Sequence, residues 1–294
     1  METTEVKKTK AERKVENDAV HTPTKIVEVN GRKIAYRSIG NGSPVILANR
    51  FRGILDYWDP GFLNALAKNF NVITFDYSGF GLSTGNPNTT ILDFATDVKD
   101  LAEGLGLSQI VVGGWSFGGM VAQTVVSQWP DLVSHGILIG TNPPGMNEHQ
   151  IEPIFFDVSR RMHYTLEDET ILFFEPAAES SRLAAQKSRE RIAQRKDLDT
   201  MIPQELWDTF TTGIQDYMAD PYQTREFILK TNIPLLVLTG DHDLCFPAEN
   251  WFTLVRQLPT TQLIVFPKAG HGPHHEHPKM AARYIKNFIR YTSK

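Results

Sequence analysis

Cys245 is the single cysteine of this 294-residue chain, so no disulfide within the chain can staple the fold. A reducing compartment is compatible with that. Long hydrophobic runs are also missing: no stretch approaches the roughly 18 uncharged apolar residues that a membrane span needs. Neither charge sign dominates. Thirty Lys and Arg against 34 Asp and Glu leave a net charge of −4, which gives no electrostatic footprint for nucleic acid. The first residues hold no apolar segment of the kind a secretory signal requires. They do hold Glu2, Glu5, Glu12 and Glu16, which a transit peptide would avoid. The expected location is cytoplasmic, with no membrane or nucleic-acid partner and no protein partner indicated. Residues 1–21, charged and poor in apolar side chains, are expected to form a disordered tail.

What is present is enough for one large core. The chain is 41% hydrophobic, and a chain of this length buries roughly 75% of its unfolded surface. Lys25–Val29 and Arg32–Arg37 read as strands joined at Asn30-Gly31, a dipeptide that tolerates positive φ at both positions of a tight hairpin. Apolar strands then alternate with amphipathic helices. The strands are near 45–48, 72–75, 110–113, 132–139, 234–239 and 262–266, and the helices near 62–70, 91–105, 117–128, 248–258 and 278–291. Ile91, Phe94, Val98, Leu101 and Leu105 recur every three or four residues, and Thr90 with Asp93 makes a capping-box start. This pattern predicts an α/β fold with a mostly parallel sheet covered by helices on both faces.

The alternation stops at 142–231, which has helical patterns near 165–174, 180–194 and 203–218 and no convincing strand. That stretch reads as a helical insertion, and the core as 22–141 plus 232–294. Ligands of open α/β sheets bind outside the C-terminal ends of the strands, so the insertion is expected to be a lid.

Gly114-Trp115-Ser116-Phe117-Gly118 fits Gly-x-Ser-x-Gly, immediately after a strand and opening a helix. A nucleophile on such a sharp turn needs neighbours without side chains two residues away, which accounts for both glycines. A serine hydroxyl also needs an oriented general base. Downstream, polar residues cluster after two strands, at Gly240-Asp241-His242-Asp243 and at Gly270-His271.

On these motifs the chain resembles the α/β-hydrolase-fold serine hydrolases, from roughly His21 to the end and least in the insertion. The superfamily often carries its acid in Gly-x-x-Asp-x-x-x-Pro, matched by Gly240, Asp243 and Pro247, and its base in a Gly-His pair, matched by His271. The resemblance therefore implies a triad of Ser116, Asp243 and His271, with Asp241 the competing acid. Asp76-Tyr77-Ser78-Gly79-Phe80-Gly81-Leu82-Ser83 resembles another superfamily turn and is assigned to loop geometry. Trp115 before the serine is similar to the small esterases that include cofactor-free perhydrolases.

Acyl transfer needs backbone donors for the oxyanion. Phe117, directly after the nucleophile, supplies one. The resemblance assigns the other to Phe51, although Asn49-Arg50 replaces the family's usual His-Gly. Trp115, Phe155, Phe156 and Arg52 are candidate substrate contacts. Arg50 and Arg52 are able to bind a substrate carboxylate, or else pair with Asp56 or Asp59. His271, His274, His275 and His277 invite a metal reading that no cysteine or carboxylate constellation supports beyond Glu276, so no metal or cofactor is expected. The implied activity is hydrolysis of a small to medium ester, thioester or lactone through an acyl-enzyme. Perhydrolysis or lyase chemistry on the same triad, or a small-molecule receptor on a hydrolase scaffold, remain alternatives.

Overall fold

A computed structural model describes residues 18–198 and 201–293. The expected tail lies outside the described residues as far as position 17. Its last four residues, Asp18 to His21, form a packed turn instead of disordered chain. The Val20 and His21 N–H groups donate to Asp18 Oδ1, and the Ala19 N–H donates to Asn64 Oδ1 at 2.8 Å.

β1 (Lys25–Val29) and β2 (Arg32–Ile39) form the expected hairpin, with Asn30 at φ 50° and Gly31 at φ 76°. β3 (Pro44–Ala48), β4 (Asn71–Phe75), β5 (Ile110–Trp115), β6 (Val133–Ile139), β7 (Leu235–Gly240) and β8 (Thr261–Phe266) complete an eight-stranded sheet in the order β1-β2-β4-β3-β5-β6-β7-β8. The pairs β1–β2 and β2–β4 are antiparallel and all others parallel.

The strands are apolar on both sides because both faces are covered. Ile46, Val112, Leu138, Leu235 and Val237 face one core, shared with α2 (Ile91–Gly104) and α3 (Phe117–Gln128). Val45, Val111, Ile137, Leu236 and Leu238 face the other, shared with α1 (Pro60–Leu66) and α11 (Pro278–Thr292). The two-residue period of a strand thus sorts its side chains between two helix layers. α1 starts at Pro60, with Asp59 capping it, two residues before its first large apolar side chain.

Between β6 and β7 the chain forms α4 (Pro153–Ser159), α5 (Leu166–Phe173), α6 (Glu179–Ile192), α7 (Trp207–Ala219) and α8 (Thr224–Ile228), with no strand among the described residues of 142–231. α5 opens on a full capping box, Thr165 with Asp168. Arg191 of α6 pairs with the fully buried Asp59, tying the insertion to α1. The helix expected over 248–258 shortens to α9 (Glu249–Phe252), after which Leu254 and Gln257 make three-residue turns. α10 (Pro273–Glu276) precedes α11. No helix among the described residues is long and apolar enough to cross a membrane.

Candidate active site

Ser116 joins β5 to α3 at φ 60°, ψ −121°. A non-glycine residue there is strained, of order 1–3 kcal/mol, and persists only where its surroundings hold it. The Ser116 N–H donates to the Ile139 carbonyl at 2.8 Å, and the Ser116 carbonyl accepts from Gly119 at 2.8 Å. A Cβ on Gly114 would lie 2.0 Å from the Gly118 carbonyl oxygen, and one on Gly118 would lie 2.0 Å from the Ala48 carbonyl oxygen. The turn therefore closes only without side chains at both positions. Gly118→Ala is expected to destabilise the protein by about 3 kcal/mol, the upper end of ordinary overpacking, because the obstacle is backbone that cannot rotate away. Chemical denaturation measures this, and an unchanged midpoint would show that the turn has room to spare.

The loops after β7 and β8 bring Asp243 and His271 together. His271 Nδ1 lies 3.0 and 2.9 Å from the two Asp243 carboxylate oxygens. Asp243 Oδ1 also accepts the N–H groups of Cys245 and Phe246, both at 2.9 Å, which fixes the carboxylate before the imidazole arrives. Two acceptors facing Nδ1 place the proton there, so neutral His271 presents Nε2 as its basic nitrogen. Gly140, directly after the Ile139 that holds Ser116, runs close beneath the imidazole. A Cβ on it would lie 2.4 Å from the His271 carbonyl oxygen and 3.2 Å from Nδ1. Asp241 goes elsewhere: it is exposed, faces His242 Nδ1 at 2.6 Å and accepts the Ala269 N–H. That contact raises the His242 pKa. Cys245 is buried, and burial pushes its thiol pKa well up.

Aromatic rings enclose His271. Phe246 lies at 5.5 Å between centroids, Phe155 at 5.7 Å, Trp115 at 5.9 Å and Phe173 at 6.5 Å. Phe155 and Phe173 come from the insertion. Phe246 is absent from the sequence-derived candidates; its position three residues after Asp243 was the available signal.

Phe117 is the first residue of α3, so its N–H is among those without an acceptor inside the helix. Phe51 follows β3 and packs edge-on against Phe210 of α7 at 5.5 Å. Asn49, in place of the family's histidine, anchors this loop. It donates to the Phe75 carbonyl and accepts from Trp58 Nε1, both at 2.6 Å. The left-handed residue in the loop is Arg52, at φ 55°, and not Arg50, the position where the family's glycine is replaced.

Three expected substrate contacts also have partners within the protein or lie in solvent. Trp115 packs on the α1 and α11 face, is 2% exposed, and donates Nε1–H to the His271 carbonyl at 2.8 Å, so it supports the base from behind. Phe156 is 46% exposed, because one step along α4 rotates it about 100° away from its neighbour Phe155. Arg52 lies 3.4 Å from the Trp207 ring centroid and donates to the carbonyls of Ser159, Arg161 and Met162 and to the Tyr164 hydroxyl, so it clamps the insertion. Asp56 pairs with Arg37, and Asp59 with Arg191. The His274 and His275 rings touch, 4.4 Å between centroids, and both pack on Trp115. His274 sits among Trp58, Phe62 and Trp115, and burial pushes its pKa well down; His277 stacks on Phe266.

A strained serine at a strand-to-helix junction and a carboxylate-held histidine are groups that a nucleophilic hydrolase needs. A family model described as alpha/beta hydrolase fold matches residues 43–278, and the chain belongs to that family. It is an enzyme of this fold. The chain is 26% identical over 257 residues to a pimeloyl-[acyl-carrier protein] methyl ester esterase of Vibrio parahaemolyticus, covering 87% of this chain and 97% of that one. It is 24% identical over 279 residues to the proline iminopeptidase PfmaB of Pestalotiopsis fici, covering 90% and 98%. Among solved structures, an alpha/beta hydrolase fold protein from Chitinophaga pinensis superposes with a TM-score of 0.82 at 29% identity, covering 93% of this chain and 99% of that one.

Proposed function

We propose that this protein hydrolyses a small to medium ester through an acyl-enzyme on Ser116. The observation that carries the reading is the buried Asp243–His271 pair, tied through the Trp115 side chain to the strained Ser116 turn. In this reading His271 Nε2 takes the Ser116 proton as Oγ attacks the ester carbonyl. The Phe51 and Phe117 N–H groups receive the oxyanion, and His271 returns the proton to the leaving alcohol. Asp243 holds the tautomer and stabilises the imidazolium. Water, activated by the same imidazole, releases the acid. The Vibrio relative, named as a methyl ester esterase, supports an ester as the bond cleaved. The test is turnover of p-nitrophenyl esters with and without peroxide, beside fluorophosphonate labelling of Ser116. Labelling without turnover would favour a receptor, and faster consumption with peroxide would favour perhydrolysis.

The insertion acts as a lid over this site, because α4 sets Phe155 on the imidazole. An apolar roof rewards added methylenes by about 0.8 kcal/mol each, close to fourfold in kcat/KM, until the chain meets the lid. The expected profile rises from acetyl towards butyryl or hexanoyl and then falls. Phe155→Ala is expected to move the optimum to longer chains, and exposed Phe156→Ala to leave it in place. A flat profile unchanged by Phe155→Ala would remove α4 from the acyl site.

A further inference from the structure

Trp115 and Phe173, but not His271, line a cavity of about 340 Å³, within the range of small-molecule pockets. Its charged lining is three guanidinium groups, Arg50, Arg52 and Arg189, against one carboxylate, Glu169. Two of the three are engaged: Arg52 by the insertion's carbonyls, and Arg189 by Glu169 at 3.1 Å and the Tyr164 carbonyl. Arg50 is different. Nη1 donates to the Phe51 carbonyl at 2.7 Å, while buried Nε has no acceptor. Among the described residues no carboxylate forms an ion pair with Arg50: Glu169 attracts it from a distance, and ring faces lie against it, Phe173 at 4.8 Å, Tyr57 at 5.0 Å and Trp115 at 5.4 Å.

A guanidinium stays ionised even when enclosed. Removing it from water without an anionic partner is costly, and cation–π contacts offset that only in part. Phe174, Ala185, Ile192 and Ile202 give the wall an apolar part. We propose that this cavity binds a small organic acid, its carboxylate on the open edge of Arg50 and its hydrocarbon part against the apolar wall. A cation would meet the arginine excess, and a neutral ligand would leave Arg50 uncompensated. The carboxylate belongs either to the substrate, as a group remote from the scissile ester, or to a separate acid. The site itself rests on the cavity and not on the triad.

The test uses the full chain carrying Ser116→Ala, so that binding is read without turnover, with sodium hexanoate and neutral hexanamide as probes. Titration followed by Trp115 fluorescence and by calorimetry is expected to show saturable hexanoate binding, with hexanamide at least tenfold weaker. Arg50→Met is expected to bring hexanoate down to the level of the amide. If Arg50→Met does not fold, Ile192→Trp fills the cavity with Arg50 intact and is expected to abolish hexanoate binding. Equal binding of the two probes, or hexanoate binding unchanged by either variant, overturns the proposal. In the wild type, competitive inhibition of ester turnover by hexanoate assigns the site to the substrate's own carboxylate, and non-competitive inhibition to a separate acid. Either pattern supports the site only together with the Arg50 dependence.

Discussion

Ser116→Ala is expected to lower kcat for p-nitrophenyl butyrate by about 10⁵-fold or more, the scale on which removal of a triad nucleophile acts. The folded protein should be almost unaffected. Alanine keeps the Cβ that makes φ 60° unfavourable, so the strain at the turn is unchanged. The hydrogen bonds that hold the turn come from the Ser116 backbone, to Ile139 and from Gly119, and they survive the substitution. The only loss is one oxygen at a position that is 5% exposed. Turnover and thermal unfolding measured on the same preparation separate the two effects. Retention of most of the wild-type kcat would end the assignment of Ser116 as nucleophile, whatever the unfolding curve shows.

Much of the frame behind that expectation is readable from residue order, for a physical reason. A strand buried on both faces must be apolar at every position, and a helix over it must be apolar every third or fourth. Val45–Leu47, Ile91–Leu105 and Leu235–Leu238 therefore announce themselves. The elbow is legible because Gly114 and Gly118 answer backbone obstacles that no other residue tolerates. Asn30-Gly31 is legible in the same way, through φ.

Contacts that depend on which way a side chain turns are not legible. Phe155 and Phe156 are chemically identical neighbours, and only the rotation of α4 sends one to His271 and the other to solvent. α4 itself is short and opens on Glu152 with no side-chain cap, so it carries little local signal. Arg52 and Arg50 differ in backbone conformation and in tertiary surroundings, neither of which their residue type reveals. One faces carbonyls from a segment more than 100 residues away, and the other faces three rings drawn from three separate elements. The cavity beside Arg50 is assembled from the loop after β3, the end of β5, three stretches of the insertion and His275 of α10, so no local pattern foreshadows it. Asp241 and Asp243 lie between these extremes. Motif spacing favours the second, and hydrogen bonding separates them.

That separation sets the other large expected effect. In Asp243→Asn the amide oxygen is able to keep the Cys245 and Phe246 N–H groups, since both bond to a single oxygen, Oδ1. The amide nitrogen then faces His271 Nδ1 as a donor. Two donors cannot share a hydrogen bond, so the imidazole moves its proton to Nε2 to present an acceptor at Nδ1. Nε2–H is unable to take the Ser116 proton, and the imidazolium loses its counter-charge. The expected fall in kcat is about 10³–10⁴-fold, with little change in KM, because the residue is buried beneath the base and away from the acyl group. Asp241→Asn removes an exposed contact to His242 and is expected to change kcat by less than about threefold, within the range of surface pairs. Steady-state kinetics of both variants on one ester decide the matter. A larger loss in Asp241→Asn than in Asp243→Asn would reassign the acid and would require the β7–α9 loop to rearrange during turnover.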